Sequence, residues 1–82
     1  MNWRIIIEKP AMKFLQKQPE AQRSRLLKAI YALPDVGNIK PMRGRDNLFR
    51  LRVGEYRVLY SLDSGILTVY VLDAGTRGGI YK

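Results

Sequence analysis

Leu48-Phe49-Arg50-Leu51-Arg52-Val53-Gly54-Glu55-Tyr56-Arg57-Val58-Leu59-Tyr60-Ser61-Leu62 decides how this chain folds. From Leu48 to Val53, side chains alternate as Leu48, Arg50, Arg52 against Phe49, Leu51, Val53, the two-residue period of a strand. Gly54-Glu55 is a two-residue loop with glycine first, as a type II′ turn requires, and Tyr56 to Leu62 returns as the antiparallel partner. Asp63-Ser64-Gly65 forms the next turn. Ile66 to Ala74 is almost wholly apolar and β-branched or aromatic, the composition of a central strand covered on both faces. This half of the chain is predicted to be a three-stranded meander.

Upstream, Trp3 to Ile7 alternates and predicts a first strand. Lys9-Pro10 ends it, and Pro10 suits a helix start because its missing N–H would be unpaired there anyway. Ala11 to Lys17 is expected to form a short helix with Ala11, Phe14 and Leu15 inward. Gln18-Pro19 breaks that helix and opens a second, since a residue before proline is pushed out of helical geometry. Leu26, Leu27, Ile30 and Leu33 recur at helical spacing between Pro19 and Leu33, leaving Arg23, Arg25 and Lys28 largely on the solvated side. Pro34 to Pro41 reads as turn chemistry. Gly75 to Lys82, with three glycines, reads as a flap or short edge extension. The fold class is therefore α+β: an N-terminal strand, a helical hairpin, then a three-stranded antiparallel meander.

A chain of 82 residues is expected to form a single domain, residues 1–82. Fifteen Lys and Arg against seven Asp and Glu leave a formal charge of +8, which attracts polyanions and makes nucleic acid the leading partner class. There is no cysteine and no histidine, which removes disulfides, the usual zinc ligands and any Cys-His or Ser-His-Asp nucleophile. No metal and no cofactor is expected. No apolar stretch approaches the roughly 20 residues of a membrane span, and the first residues show no signal-peptide pattern, so a cytoplasmic protein without membrane contact is expected. The second helix donates its apolar side chains to the core and has few left to read bases, which argues against a helix-turn-helix DNA binder.

Placement of the charge sharpens the expectation. Arg50 and Arg52 share a strand face, and the tight turn brings Arg57 beside them. Like charges on adjacent strands cost a few tenths to about 1 kcal/mol each, so gathering guanidinium groups sacrifices stability unless an anion is to be bound. Guanidinium forks donate paired hydrogen bonds to phosphate oxygens. Arg43 and Arg45, in the loop before the strand, are expected to add RNA or phosphate contacts at the same end of the sheet. Arg77 and Tyr81 follow the last strand directly, where side chains become free to turn toward the cluster, and a tyrosine ring there offers a stacking platform for a base. A charged strand face also discourages edge aggregation, but that role more often falls to scattered lysines than to a run of arginines.

Arg43-Gly44, Phe49-Arg50-Leu51-Arg52, Gly54-Glu55-Tyr56-Arg57-Val58-Leu59-Tyr60 and Gly75-Thr76-Arg77 with Ile80-Tyr81 resemble, in sequence and order, the RelE/ParE toxin superfamily. The resemblance implies a toxin of a type II toxin-antitoxin system with a cognate, RelB-like antitoxin encoded nearby and a toxin-antitoxin hetero-oligomer. Its RelE-like branch implies a metal-independent endoribonuclease that cleaves mRNA in the ribosomal A site through attack of the ribose 2′-hydroxyl. Arg50 and Arg52 then fall where those enzymes carry basic residues, Arg57 on a phosphate-binding arginine, Arg77 on the arginine assisting the leaving group and Tyr81 on the terminal tyrosine. Arg52, Arg57, Arg77 and Tyr81 are the implied catalytic set. One departure is physical: arginine does not readily give up its proton, so Arg52 is a poor general base where a lysine serves. The base stays open among Tyr81, Asp73 and ribosomal RNA. The alternative within the superfamily is a ParE-like poison of DNA gyrase without nuclease activity.

Overall fold

The computed structural model describes residues 3–42, 44 and 47–76. Along the chain run β1 (Arg4–Ile7), α1 (Lys9–Gln16), α2 (Glu20–Tyr31), β2 (Asn38–Pro41), β3 (Leu48–Val53), β4 (Tyr56–Asp63) and β5 (Thr68–Thr76). One sheet contains all five strands in the order β1-β5-β4-β3-β2. Pairing is antiparallel throughout except between β1 and β5. A parallel pair needs a long connection, and here the helices and the rest of the meander supply it.

The α+β class and the element order match the sequence-based expectation, with one addition. Residues 38–41, expected as turn, form β2, so the meander has four strands and the sheet five. Pro41 is compatible with this because β2 is an edge strand, where proline's missing donor faces no partner strand. Gly37, just before it, adopts φ +136 and sits where an added Cβ would lie 2.7 Å from the Leu51 side chain. Only glycine lets the backbone pass that close to the core.

Both helices cover one face of the sheet. Ala11 and Leu15 of α1, and Leu26 and Ile30 of α2, are buried with Leu51, Val58, Tyr60, Val69, Val71 and Ala74 of the strands. Burying side chains of this size stabilises by about 1.5–3 kcal/mol each. Phe49 stacks on Tyr60 with centroids 5.5 Å apart, and Phe14 meets Tyr56 edge-on at 5.8 Å. Burial pushes the Tyr60 phenol up to about 12. Between the helices, Gln18 Nε2 donates to Phe14 O at 3.2 Å, Arg23 donates to Gln18 O at 3.0 Å, and Tyr56 Oη donates to Gln18 Oε1 at 3.3 Å. The interhelical turn is thereby tied to the start of β4, and Arg23 is drawn partly out of solvent. Among the described residues no helix is long and apolar enough to cross a membrane.

The last strand departs from expectation at both ends. Asp63 Oδ1 accepts from Gly65 N at 3.0 Å and Ile66 N at 3.3 Å, and Leu67 takes φ +48, so the turn runs on through residue 67. Ile66 is consequently 62% exposed rather than in a strand. At the far end Gly75 and Thr76, expected in a flap, still pair with Arg57 and Tyr56. The rest of the expected flap, residues 77–82, lies outside the described residues. β5 is also covered by helices on one face only, since Tyr70 and Asp73, on its other face, stay partly exposed.

Candidate nucleic-acid interface

Strand pairing fixes which side chains share the face left open by the helices. Leu51, Val58 and Ala74 face the core in one cross-strand row, so the neighbouring rows face away from the helices. One is Asn38–Arg52–Arg57–Gly75, the other Lys40–Arg50–Leu59–Asp73. Arg50, Arg52 and Arg57 therefore meet on one surface, as the sequence led us to expect. Arg43, Arg45, Arg77 and Tyr81 lie outside the described residues.

Arg52 and Arg57 are directly opposed. Of the two loop residues, Gly54 alone has a positive φ, +59, as the type II′ reading requires. A two-residue loop closed by Val53 and Tyr56 puts the next pair in the non-hydrogen-bonded class, whose Cα atoms lie about 4.5 Å apart. The two arginine side chains thus leave adjacent points of the backbone, and nothing in the hairpin allows those points to separate. Arg25 is not simply solvated. Its guanidinium lies over Gly54, 2.7 Å from where a Cβ would sit, adding a cation at the tip of the same hairpin.

Arg50 is half-buried, and its Nε is shielded from water with no hydrogen-bond acceptor among the described residues. A buried, charged donor left unmet costs on the order of 1–3 kcal/mol or more. An anion whose oxygen reached this nitrogen would remove that cost. Lys40, next to Arg50, is exposed and was overlooked in the sequence because residues 38–41 look like turn.

Asp73 reaches this face by a register change. Strict alternation from Val69 and Val71 would send Asp73 into the core and Ala74 out. Instead the β4–β5 register shifts between Leu59 and Tyr60, so that Leu59 pairs with Asp73 and Tyr60 with Val71. Leu72 is the extra residue of this bulge, and the phase of the strand inverts beyond it. Ala74 is buried, and the Asp73 carboxylate accepts from Ala74 N at 2.8 Å while standing diagonal to Arg57. Tyr60 faces the core and does not belong to this surface.

A family model described as the ParE toxin of the type II toxin-antitoxin system parDE matches residues 5–81. The chain belongs to this family, within the RelE/ParE superfamily. It is accordingly a type II toxin-antitoxin toxin. Among solved structures, the toxin is similar to the archaeal RelE–RelB complex of Pyrococcus horikoshii, at 30% identity over 96% of this chain and 99% of that one, with a TM-score of 0.77. The RelBE2 toxin-antitoxin complex of Mycobacterium tuberculosis matches at 25% identity, 94% and 100% coverage and a TM-score of 0.79. The isolated E. coli RelE toxin shares the fold at 20% identity, 96% and 90% coverage and a TM-score of 0.75. No curated protein matches by sequence.

Proposed function

We propose that this toxin is a RelE-like endoribonuclease that cleaves mRNA in the ribosomal A site. The supporting observation is the open-face cluster in which Arg52 opposes Arg57 and Arg50 stands beside them with a buried, unmet Nε. In the reaction the ribose 2′-oxygen attacks the adjacent phosphorus, the P–O5′ bond breaks, and the products are a 2′,3′-cyclic phosphate and a 5′-hydroxyl. The pentacoordinate transition state carries more negative charge than the ground state, so guanidinium groups already in place stabilise it preferentially. Arg57 and Arg52 bind the phosphate oxygens and Arg50 neutralises its flank. Arg77, joined covalently to the end of β5 beside the Arg57 row, assists the leaving oxygen, and Tyr81 stacks on the reacting nucleotide. Arg43 and Arg45 hold flanking phosphates. The 2′-hydroxyl proton passes to Tyr81, Asp73 or a ribosomal RNA group, and holding the attacking oxygen in line supplies a further share of the acceleration.

Two partner classes go with this reading. The ribosome and its mRNA place the toxin in the cytoplasm, and a RelB-like antitoxin forms a hetero-oligomer with it. Opposite charge over the arginine rows gives such a segment its affinity for this face.

A second reading, a ParE-like gyrase poison, is favoured by the description of the matching family model. Primer extension on ribosomes programmed with a defined mRNA separates the two. Cuts within the A-site codon, weakened by Arg57→Ala and Arg77→Ala and absent without ribosomes, are expected. Intact mRNA together with trapped, cleaved DNA in a gyrase reaction supports the alternative.

A further inference from the structure

The edge strand β2 brings two polar residues to the arginine surface that neither the family match nor the sequence pattern assigns. Lys40 pairs with Arg50 and Asn38 with Arg52, both exposed and both on the open face. We propose that β2 is a third nucleotide-contact strand, in which Lys40, with Arg50, binds the phosphate next to the one held by Arg52 and Arg57. This rests on the nuclease reading above for the identity of the strand bound.

The spacing follows from sheet geometry. The Lys40–Arg50 pair is offset from the Arg52–Arg57 pair by one interstrand step of about 4.8 Å and by two residues along the strand, about 6.7 Å. The two cationic pairs are therefore about 8 Å apart, a separation that Lys and Arg side chains close onto consecutive phosphates of a single strand. Leu59, next to Arg50 in the same row, carries no charge, so the cationic track leaves Arg57 toward β2 rather than along β4. The unmet Arg50 Nε lies within this second pair and gives it a donor for which the described residues hold no acceptor. Lys40 contributes a point charge with no fixed fork, suited to holding a phosphate that does not react.

A contact of this kind is made equally in the ground and transition states, so it lowers KM and leaves kcat alone. Lys40 is exposed on an edge strand, and Lys40→Ala is expected to fold, as thermal unfolding checks. On programmed ribosomes Lys40→Ala should raise KM about 5- to 20-fold with kcat unchanged, and Lys40→Arg should restore it. Binding of a short single-stranded RNA with 2′-O-methyl riboses, which cannot be cut, should lose about 0.7 from the slope of log affinity against log salt. An unchanged slope overturns the role of β2, whether or not the wild-type protein cuts, and where it cuts an unchanged KM does so too. A fall in kcat at constant KM also overturns it, moving Lys40 to the reacting centre. If the wild type cuts nothing but Lys40→Ala still reduces the slope, the nuclease reading fails and the phosphate contact of β2 stands.

Discussion

Replacing Arg52 with glutamine should make the protein more stable and less active at the same time. Arg52 and Arg57 are directly opposed across a non-hydrogen-bonded pair, so guanidinium groups extended side by side stand on the order of 6 Å apart. At a water-like dielectric that separation corresponds to about 0.7 kcal/mol of repulsion, and at low salt little of it is screened. Glutamine keeps much of the stem and removes the charge. The midpoint of thermal unfolding should rise by about 3–5 °C in about 0.01 M salt for a chain of this length. In about 1 M salt, where the Debye length falls to about 3 Å, the gain should nearly vanish. Cleavage should drop by about 10²- to 10³-fold, the usual cost of removing one preorganised transition-state donor. Calorimetry across a salt series, paired with the primer-extension assay, reads both effects. A variant less stable than wild type, or a gain indifferent to salt, refutes the claim that this face is held under electrostatic strain.

Three further outcomes follow from the packing. Gly37→Ala should destabilise by about 2–4 kcal/mol in urea unfolding, because the new methyl would meet the Leu51 side chain at 2.7 Å and φ +136 is unfavourable for any L-residue. Tyr56→Phe removes the hydroxyl that donates to Gln18 at 3.3 Å, and should cost about 0.5–1 kcal/mol in the same assay without altering the arginine rows. The Tyr60 phenol, raised from 10.0 to about 12 by burial, keeps its proton in the folded state after the unfolded chain has lost it. Stability should thus be constant below pH 10, as far as this group governs it, and fall as pH rises from 10 toward 12, a decline that Tyr60→Phe abolishes in a pH series of urea midpoints.

The hairpin of β3 and β4 was readable because local chemistry and global need agree there. Alternating side chains set the two faces, Gly54 supplies the positive φ, and the register that follows places Arg50, Arg52 and Arg57 together without any long-range information. Where local signals point elsewhere, the sequence misleads. β2 lies among Pro34, Gly37, Asn38 and Pro41, all turn formers, and becomes a strand only because β3 offers it an edge to pair with. The bulge at Leu72 leaves no trace either, since Val69, Tyr70, Val71 and Leu72 are apolar on both faces and carry no phase. Asp73 is then the first polar residue whose side depends on a register no local pattern states.

These two illegible features decide the chemistry of the open face. Without the bulge, Asp73 would enter the core unpaired, and Ala74 would leave it, a burial that an isolated carboxylate does not tolerate. With it, the Arg57 row ends at Gly75, which has no side chain to crowd a bound phosphate, and the Asp73 carboxylate stands one step away on the neighbouring row. Without β2, the arginines would form the margin of the sheet and Arg50 would lose its cationic neighbour. Five strands instead enclose Arg50, Arg52 and Arg57 between a lysine on one flank and a carboxylate on the other, which gives the surface a direction. A polyanion bound across the arginines is drawn toward Lys40 and repelled near Asp73, so the order of the strands fixes on which side of the arginines the bound chain lies.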